Sequence, residues 1–303
     1  MATTTAGSLV VPSRRSRERA LWRLVEAYHA LVYYASERSD VYTALGLKGG
    51  WMGYFASRSA ALGVVPADVV TACFYGFAPR MVERALPDAW RWTTPELAAA
   101  ARLQVFDLAV RRHLGDRVRE PVVAGLAARL SEVVDVLPSA GAPLFAAHRS
   151  LPRPAEPHLA LFWATSALRE FRGDAHVVAL RAADLDPVSS NLVMVALGLV
   201  PEDQRSYRGW TEDEWAAAAA ALTARGWLSD GGQVTPAGRR ARAAVEDRTD
   251  TLTAVAWSGF SDEALASLTA DLSSVAEPIV TAGGVPYPNG MGMAPTAELA
   301  VTG

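Results

Sequence analysis

Residues 93–115, TTPELAAAARLQVFDLAVRRHLG, hold every local signal of a complete helix. Thr94 can cap its free N–H groups, and Pro95 stands in the first turn, where a missing N–H costs nothing. Arg111, Arg112 and His113 oppose the dipole in the last turn, and Gly115 stops the chain. The same grammar recurs along the N-terminal half. From Ser16 to about Ser36, Leu21, Leu24, Val25, Tyr28, Leu31 and Val32 repeat with a 3.6-residue rhythm, and GLKGG ends it. A second helix runs from Trp51 to Leu62 and stops at Gly63. Pro66 opens another in PADVVTACFYGF, Pro79 a short one, and EPVVAGLAARLSEVVDVL is amphipathic. Such a chain has little room for a sheet.

The pattern changes after Pro157. The five prolines from Pro138 to Pro157 predict a linker or a domain boundary. HLALFWATSALREF is a helix that Gly173 should break, with Asp174 capping the next, DAHVVALRAAD. PVSSNLVMVALG follows. Thr211 and Glu214 form the capping-box pair of a helix that ends at Gly226. WLSDGGQVT reads as strand, turn, strand, and Thr235-Pro236 start a further helix. The expected fold is mainly α: a helical N-terminal domain packed on a winged helix-turn-helix domain with one short β-hairpin. The expected divisions are a disordered N-terminus (1–14), a helical domain (15–150), a winged-helix domain (157–281) and a flexible tail (282–303).

The 303 residues suffice for two domains, and a composition half apolar and one-fifth charged is that of a soluble globular protein. A formal net charge of −3 gives no general attraction to nucleic acid or anionic membrane. Cys73 is the sole cysteine, so a disulfide framework is excluded and a reducing cytoplasm fits. The N-terminal basic cluster follows the short apolar patch, the reverse of a signal peptide. No apolar run reaches the ~18 residues of a membrane span. A cytoplasmic protein without membrane partners is expected.

The stretch LTARGWLSDGGQVTPAGRRARAAVEDRTD resembles the C-terminal half of a MarR-type winged helix. GWMGYFASRSAALG, FYGFAPRMV, LREFRGDAHVVAL, ARGWL, VTPAG and VEDRTDTL extend a resemblance to the actinobacterial SalK-like helix-turn-helix proteins from about residue 20 to 290. Ala61 stands where that family has proline. The resemblance implies a winged-helix fold and a setting in actinobacterial specialised metabolism. It implies no reaction, because fold does not dictate function.

By the MarR analogy the helix after Thr211 would read DNA. It begins Glu212, Asp213, Glu214 and continues as six alanines, with Arg225 at its far end, and the wing tip SDGGQ carries no basic residue. Reading bases and neutralising phosphates needs Arg, Lys, Asn or Gln there. DNA binding is therefore the second expectation, as a ligand-responsive regulator. Arg239, Arg240 and Arg242 on the next helix read as a solvated face or a partner contact rather than a DNA surface.

The first expectation is a small-molecule site in the cleft between the two domains, acting as a cofactor-independent enzyme or binder. His29 and Tyr33 share a helical face with Trp22, Glu26 and Glu37, and His29 could exchange protons near neutral pH. The same stripe could be a buried hydrogen-bonded set. Trp51, Tyr54 and Arg58 share a face, and Arg58 could clamp an anion or pair with Glu26 or Glu37. Tyr75 belongs to an aromatic run that also suits a core. Arg172, Asp174 and His176 crowd one helix start. The candidates are thus His29, His176 and Tyr33 for catalysis, and Trp51, Tyr54, Arg58, Tyr75, Arg172 and Asp174 for ligand binding. The five scattered histidines, with no H-x-x-x-H pair, suggest no metal, and neither phosphate-loop nor dinucleotide fingerprint suggests a cofactor. A homodimer is compatible with the analogy.

Overall fold

A computed structural model describes residues 13–294. The first twelve residues of the expected disordered N-terminus and residues 295–303 of the expected tail lie outside the described residues. In chain order the α-helices are α1 (Arg14–Tyr34), α2 (Arg38–Ala44), α3 (Gly49–Ser59), α4 (Ala67–Cys73), α5 (Pro79–Glu83), α6 (Pro95–Leu114) and α7 (Pro121–Val136). They continue as α8 (Pro143–Arg149), α9 (Pro157–Ala182), α10 (Pro187–Ala196), α11 (Gln204–Tyr207), α12 (Glu212–Ala224), α13 (Pro236–Thr253) and α14 (Asp262–Thr281).

The caps read from sequence form as hydrogen bonds. Thr94 accepts from Leu97 N–H at 3.3 Å, and Thr211 and Glu214 close a reciprocal capping box. The hairpin is reduced to one isolated antiparallel bridge, Leu228 to Val234. Asp230, Gly231 and Gly232 occupy the turn, and two backbone bonds, Ser229 to Gln233 and Thr235 to Trp227, hold its arms. The arms are too short for a ladder.

Two hydrophobic clusters organise the chain. The larger joins α1, α3 and α6–α8 to the first part of α9 and to α14, with Tyr28, Phe55, Phe106, Phe145 and Trp257 fully buried. Each such side chain contributes about 1.5–3 kcal/mol by leaving water. The smaller holds the C-terminal end of α9, α10, α12, the Leu228–Val234 turn and α13 around Leu180, Val193, Leu222 and Val245. Helix α9 passes from one cluster to the other, and α14 returns the chain to lie along α1.

Three local expectations fail. Gly173 does not end a helix; α9 runs through it without a break. Asp174 therefore caps no helix of its own and instead accepts from the Phe145 backbone N–H of α8 at 3.0 Å. The proline-rich segment before Pro157 is not an open linker, because it contains α8, whose Leu144 and Phe145 are buried in the larger cluster. Helix α2 had no strong sequence signal. It packs on α3 at Gly53, where an added Cβ would stand 2.4 Å from the Tyr42 ring. Residues 285–293 have no regular structure, yet Val285 and Asn289 are buried, so this stretch is a strap fixed to the surface.

Candidate functional site

A cavity of about 630 Å³ lies between the two clusters. Its walls come from α1, α3, the Phe74–Phe77 turn, α9, α10 and α13, and Gly290–Ala294 of the strap borders it. The volume suits an organic molecule of moderate size.

One end is built around Tyr54. Arg58 forms a bidentate ion pair with Glu170 (3.0 and 2.9 Å) and donates to the Tyr54 hydroxyl at 2.9 Å. Arg169 donates to Glu170 at 2.8 Å and to Glu26 at 3.2 Å. Burial opposes ionisation of Glu170, but Arg169 and Arg58 outweigh it and hold the carboxyl well below its usual range. Burial likewise pushes the Tyr54 phenol up; Arg58, Arg208 and Arg169 more than cancel this, and its pKa is lowered. Arg58 also lies over the Phe74 ring, 4.2 Å from its centroid.

The other end is built around His176. Arg172 donates to Asp250 at 2.9 Å and to Glu246 at 3.3 Å, and Arg242 pairs with Glu246 at 2.6 Å. Thr249 spends its single hydroxyl proton on the Val245 carbonyl (2.8 Å), so the His176 Nδ1 2.9 Å away must be its donor. The lone pair of the neutral ring is therefore on Nε2. Burial, opposed by Glu246 and aided by Arg242 and Arg172, lowers the His176 pKa to about 4. The imidazole is neutral at pH 7.

Of the sequence candidates, Tyr54, Arg58, Tyr75, Arg172 and His176 line this cavity. Tyr75 also donates to the Leu185 carbonyl at 2.6 Å. His29, Tyr33, Trp51 and Asp174 are not among the lining residues. His29 is fully buried, bonded to Ser166 at 2.9 Å and Tyr33 at 3.0 Å, and Arg102 donates to Tyr33. Trp51 stands edge-on to Tyr54 and Phe77. Asp174 and His176 are two residues apart on α9 and face different neighbours, α8 and α13. Arg58 pairs with neither Glu26 nor Glu37; Glu26 goes to Arg169 and Glu37 to Arg112.

Sequence reasoning missed Glu170, Arg169, Arg208 and Arg242 as lining residues. Arg169 and His176 lie seven residues apart with Arg172 between them, a spacing that puts all three on one helical face once α9 is seen as continuous. Arg208 follows a one-turn helix and carries no periodic signal.

On α12, Asp213, Ala216, Ala217, Ala220 and Ala221 are exposed, and Glu214 pairs with Arg80 of α5. Arg225 donates to the carbonyls of Ala183 and Asp184 and lies over Trp227. Among the described residues no helix is long and apolar enough to cross a membrane. No curated protein and no solved structure matches the chain. The helix-turn-helix family matches residues 18–286, spanning the larger cluster, the cavity walls and the α10–α13 unit alike, and the chain belongs to that family.

Proposed function

We propose that this protein binds a small organic molecule in the cleft between its helical body and its winged-helix unit, and that it acts there as a metal-independent acid–base enzyme. The observation that carries the reading is the cavity itself, walled by both clusters and furnished at its two ends with groups that can handle protons. Tyr54, its phenol biased toward ionisation, is the candidate acid, and the neutral His176, with Nε2 unprotonated, is the candidate base. Arg58, itself held by Glu170, positions the Tyr54 hydroxyl directly, and Thr249 orients the His176 ring. His29 and Tyr33, sealed behind the cavity, take a structural role in this reading. The SalK-like resemblance supplies the setting of specialised metabolism.

Tyr54→Phe and His176→Gln test it. Each should leave folding intact and lower turnover of any substrate found by screening lysate metabolites, or of a ligand retained in native mass spectrometry. Folded variants that bind and turn over such a compound at the wild-type rate would remove both residues from the chemistry.

Membership of a helix-turn-helix family favours a second reading, a ligand-responsive regulator whose α10 and α13 transmit occupancy of the cleft. Against it, the first turn of α12 exposes Glu212 and Asp213, which phosphates repel, and its exposed face continues as alanines with no basic residue. A mobility-shift titration with upstream DNA at low salt separates the two: retardation that collapses as salt rises supports the regulator.

A further inference from the structure

The cleft has an unusual charge balance. Eight arginines line it against three glutamates. All three glutamates are already engaged, Glu26 and Glu170 by Arg169 and Arg58, and Glu246 by Arg172 and Arg242. Among the described residues, Arg23, Arg208 and Arg239 have no carboxylate within 4 Å. Arg208 is the most telling of these. It is partly buried, its guanidinium lies over the Phe77 ring at 4.2 Å, and its one hydrogen-bond partner is the Gly290 carbonyl of the strap. Burial, compounded by Arg58 and Arg169 and only partly offset by Tyr54 and Tyr34, pulls its pKa down. Arg242 adds a second sign: its side chain is 11% exposed and its buried Nη1 has no acceptor. Buried guanidinium groups are normally paired. Between the arginines lies an apolar and aromatic lining that includes Trp22, Phe74, Phe77, Leu180 and Met194.

Resting on the cleft-binding reading, we infer that the occupant is an organic dianion, a phosphate ester or a dicarboxylate on an apolar or aromatic body, and that Arg208 is its principal anchor. Arg239, exposed on α13 at the cleft wall, adds to the attraction without contributing to the core. The Gly290–Gly292 strap connects the two basic ends: Arg208 bonds to Gly290, and Gly292 abuts Met194, whose sulfur contacts Arg242 at 3.2 Å.

The test compares 1-naphthyl phosphate with 1-naphthol, which share a ring system and differ in charge, by titration calorimetry of the full chain. The phosphate should bind at least about tenfold more tightly, the size expected of one charge-assisted hydrogen bond. Arg208→Met should abolish most of that preference, Arg208→Lys should retain part of it, and Arg239→Gln, a surface change that cannot disturb folding, should reduce it and flatten its salt dependence. Ala243→Trp, which places an indole in the cleft from an exposed helix position, should block both probes. Equal binding of the two probes, with Arg208→Met silent and Ala243→Trp still blocking, would overturn the dianion assignment and leave the cleft reading standing. No binding of either probe, or binding indifferent to Ala243→Trp, would overturn both.

Discussion

Glu170 is the residue on which most of the site depends. It is fully buried and answers two arginines that are themselves largely enclosed. Removing one partner of such a group leaves charge uncompensated in a poor solvent for it. Glu170→Gln should cost about 3–5 kcal/mol in urea unfolding, and should free the Tyr54 neighbourhood to rearrange. Asp174 behaves in the opposite way. Burial, against the Phe145 N–H bond and the attraction of Arg58, raises its pKa to about 7. The folded protein therefore holds a proton that the unfolded chain, with an ordinary carboxyl, releases between about pH 4 and 7. Stability falls across that window as pH rises, and Asp174→Asn should remove the slope while keeping an acceptor for Phe145. The variant should melt higher than wild type at pH 8, with the difference closing toward pH 4. The buried His148 and the half-buried His176, each lowered to about 4, cost stability as pH falls below about 6.5, but equally in wild type and variant.

Among the elements, α9 decides the architecture. It carries Arg169, Glu170, Arg172 and His176 along one uninterrupted run, so both ends of the cavity are mounted on the same rigid piece. Glycine in its interior is tolerated rather than required. A Cβ at Gly173 would meet nothing closer than 3.6 Å, the Arg169 Nη1. Gly173→Ala should therefore stabilise the protein by about 0.5–1 kcal/mol in chemical denaturation. A loss of stability instead would mean that a break at Gly173 is populated. Helix α12 shows the contrary case, in which local signals suffice: the Thr211–Glu214 box forms as its spacing dictates, because both partners lie within one turn.

At the scale of the molecule, the larger core is not closed by its N-terminal residues. Leu265, Leu268, Leu272, Val275 and Ile279 of α14 are buried with α1, and Leu161, Phe162 and Leu168 of α9 fill the centre. Residues 15–150 expressed alone should lack cooperative thermal unfolding, whereas the full chain should unfold with a single transition in calorimetry. A sharp transition in the fragment would show that α1 to α8 make an independent core.

The mainly helical fold, the caps at Thr94, Thr211 and Thr235, the tight turn between Leu228 and Val234 and the closeness of Tyr54 to Arg58 are all decided within a few residues, and the sequence by itself determined them. The continuity of α9 was not legible, because a glycine and an aspartate side by side are also what a helix boundary looks like; packing against α7, α8 and α13 holds the helix through them. Nor was the fate of the candidates. His29 and Tyr33 share their helix face with Trp22 and Glu26, but only the last two reach the cavity, because α6 and α9 close over the far half of the stripe. Arg58 with Glu170 and His176 with Thr249 are partners 112 and 73 residues apart. Electrostatic pairing of that kind depends on distance in space, which only the tertiary structure decides.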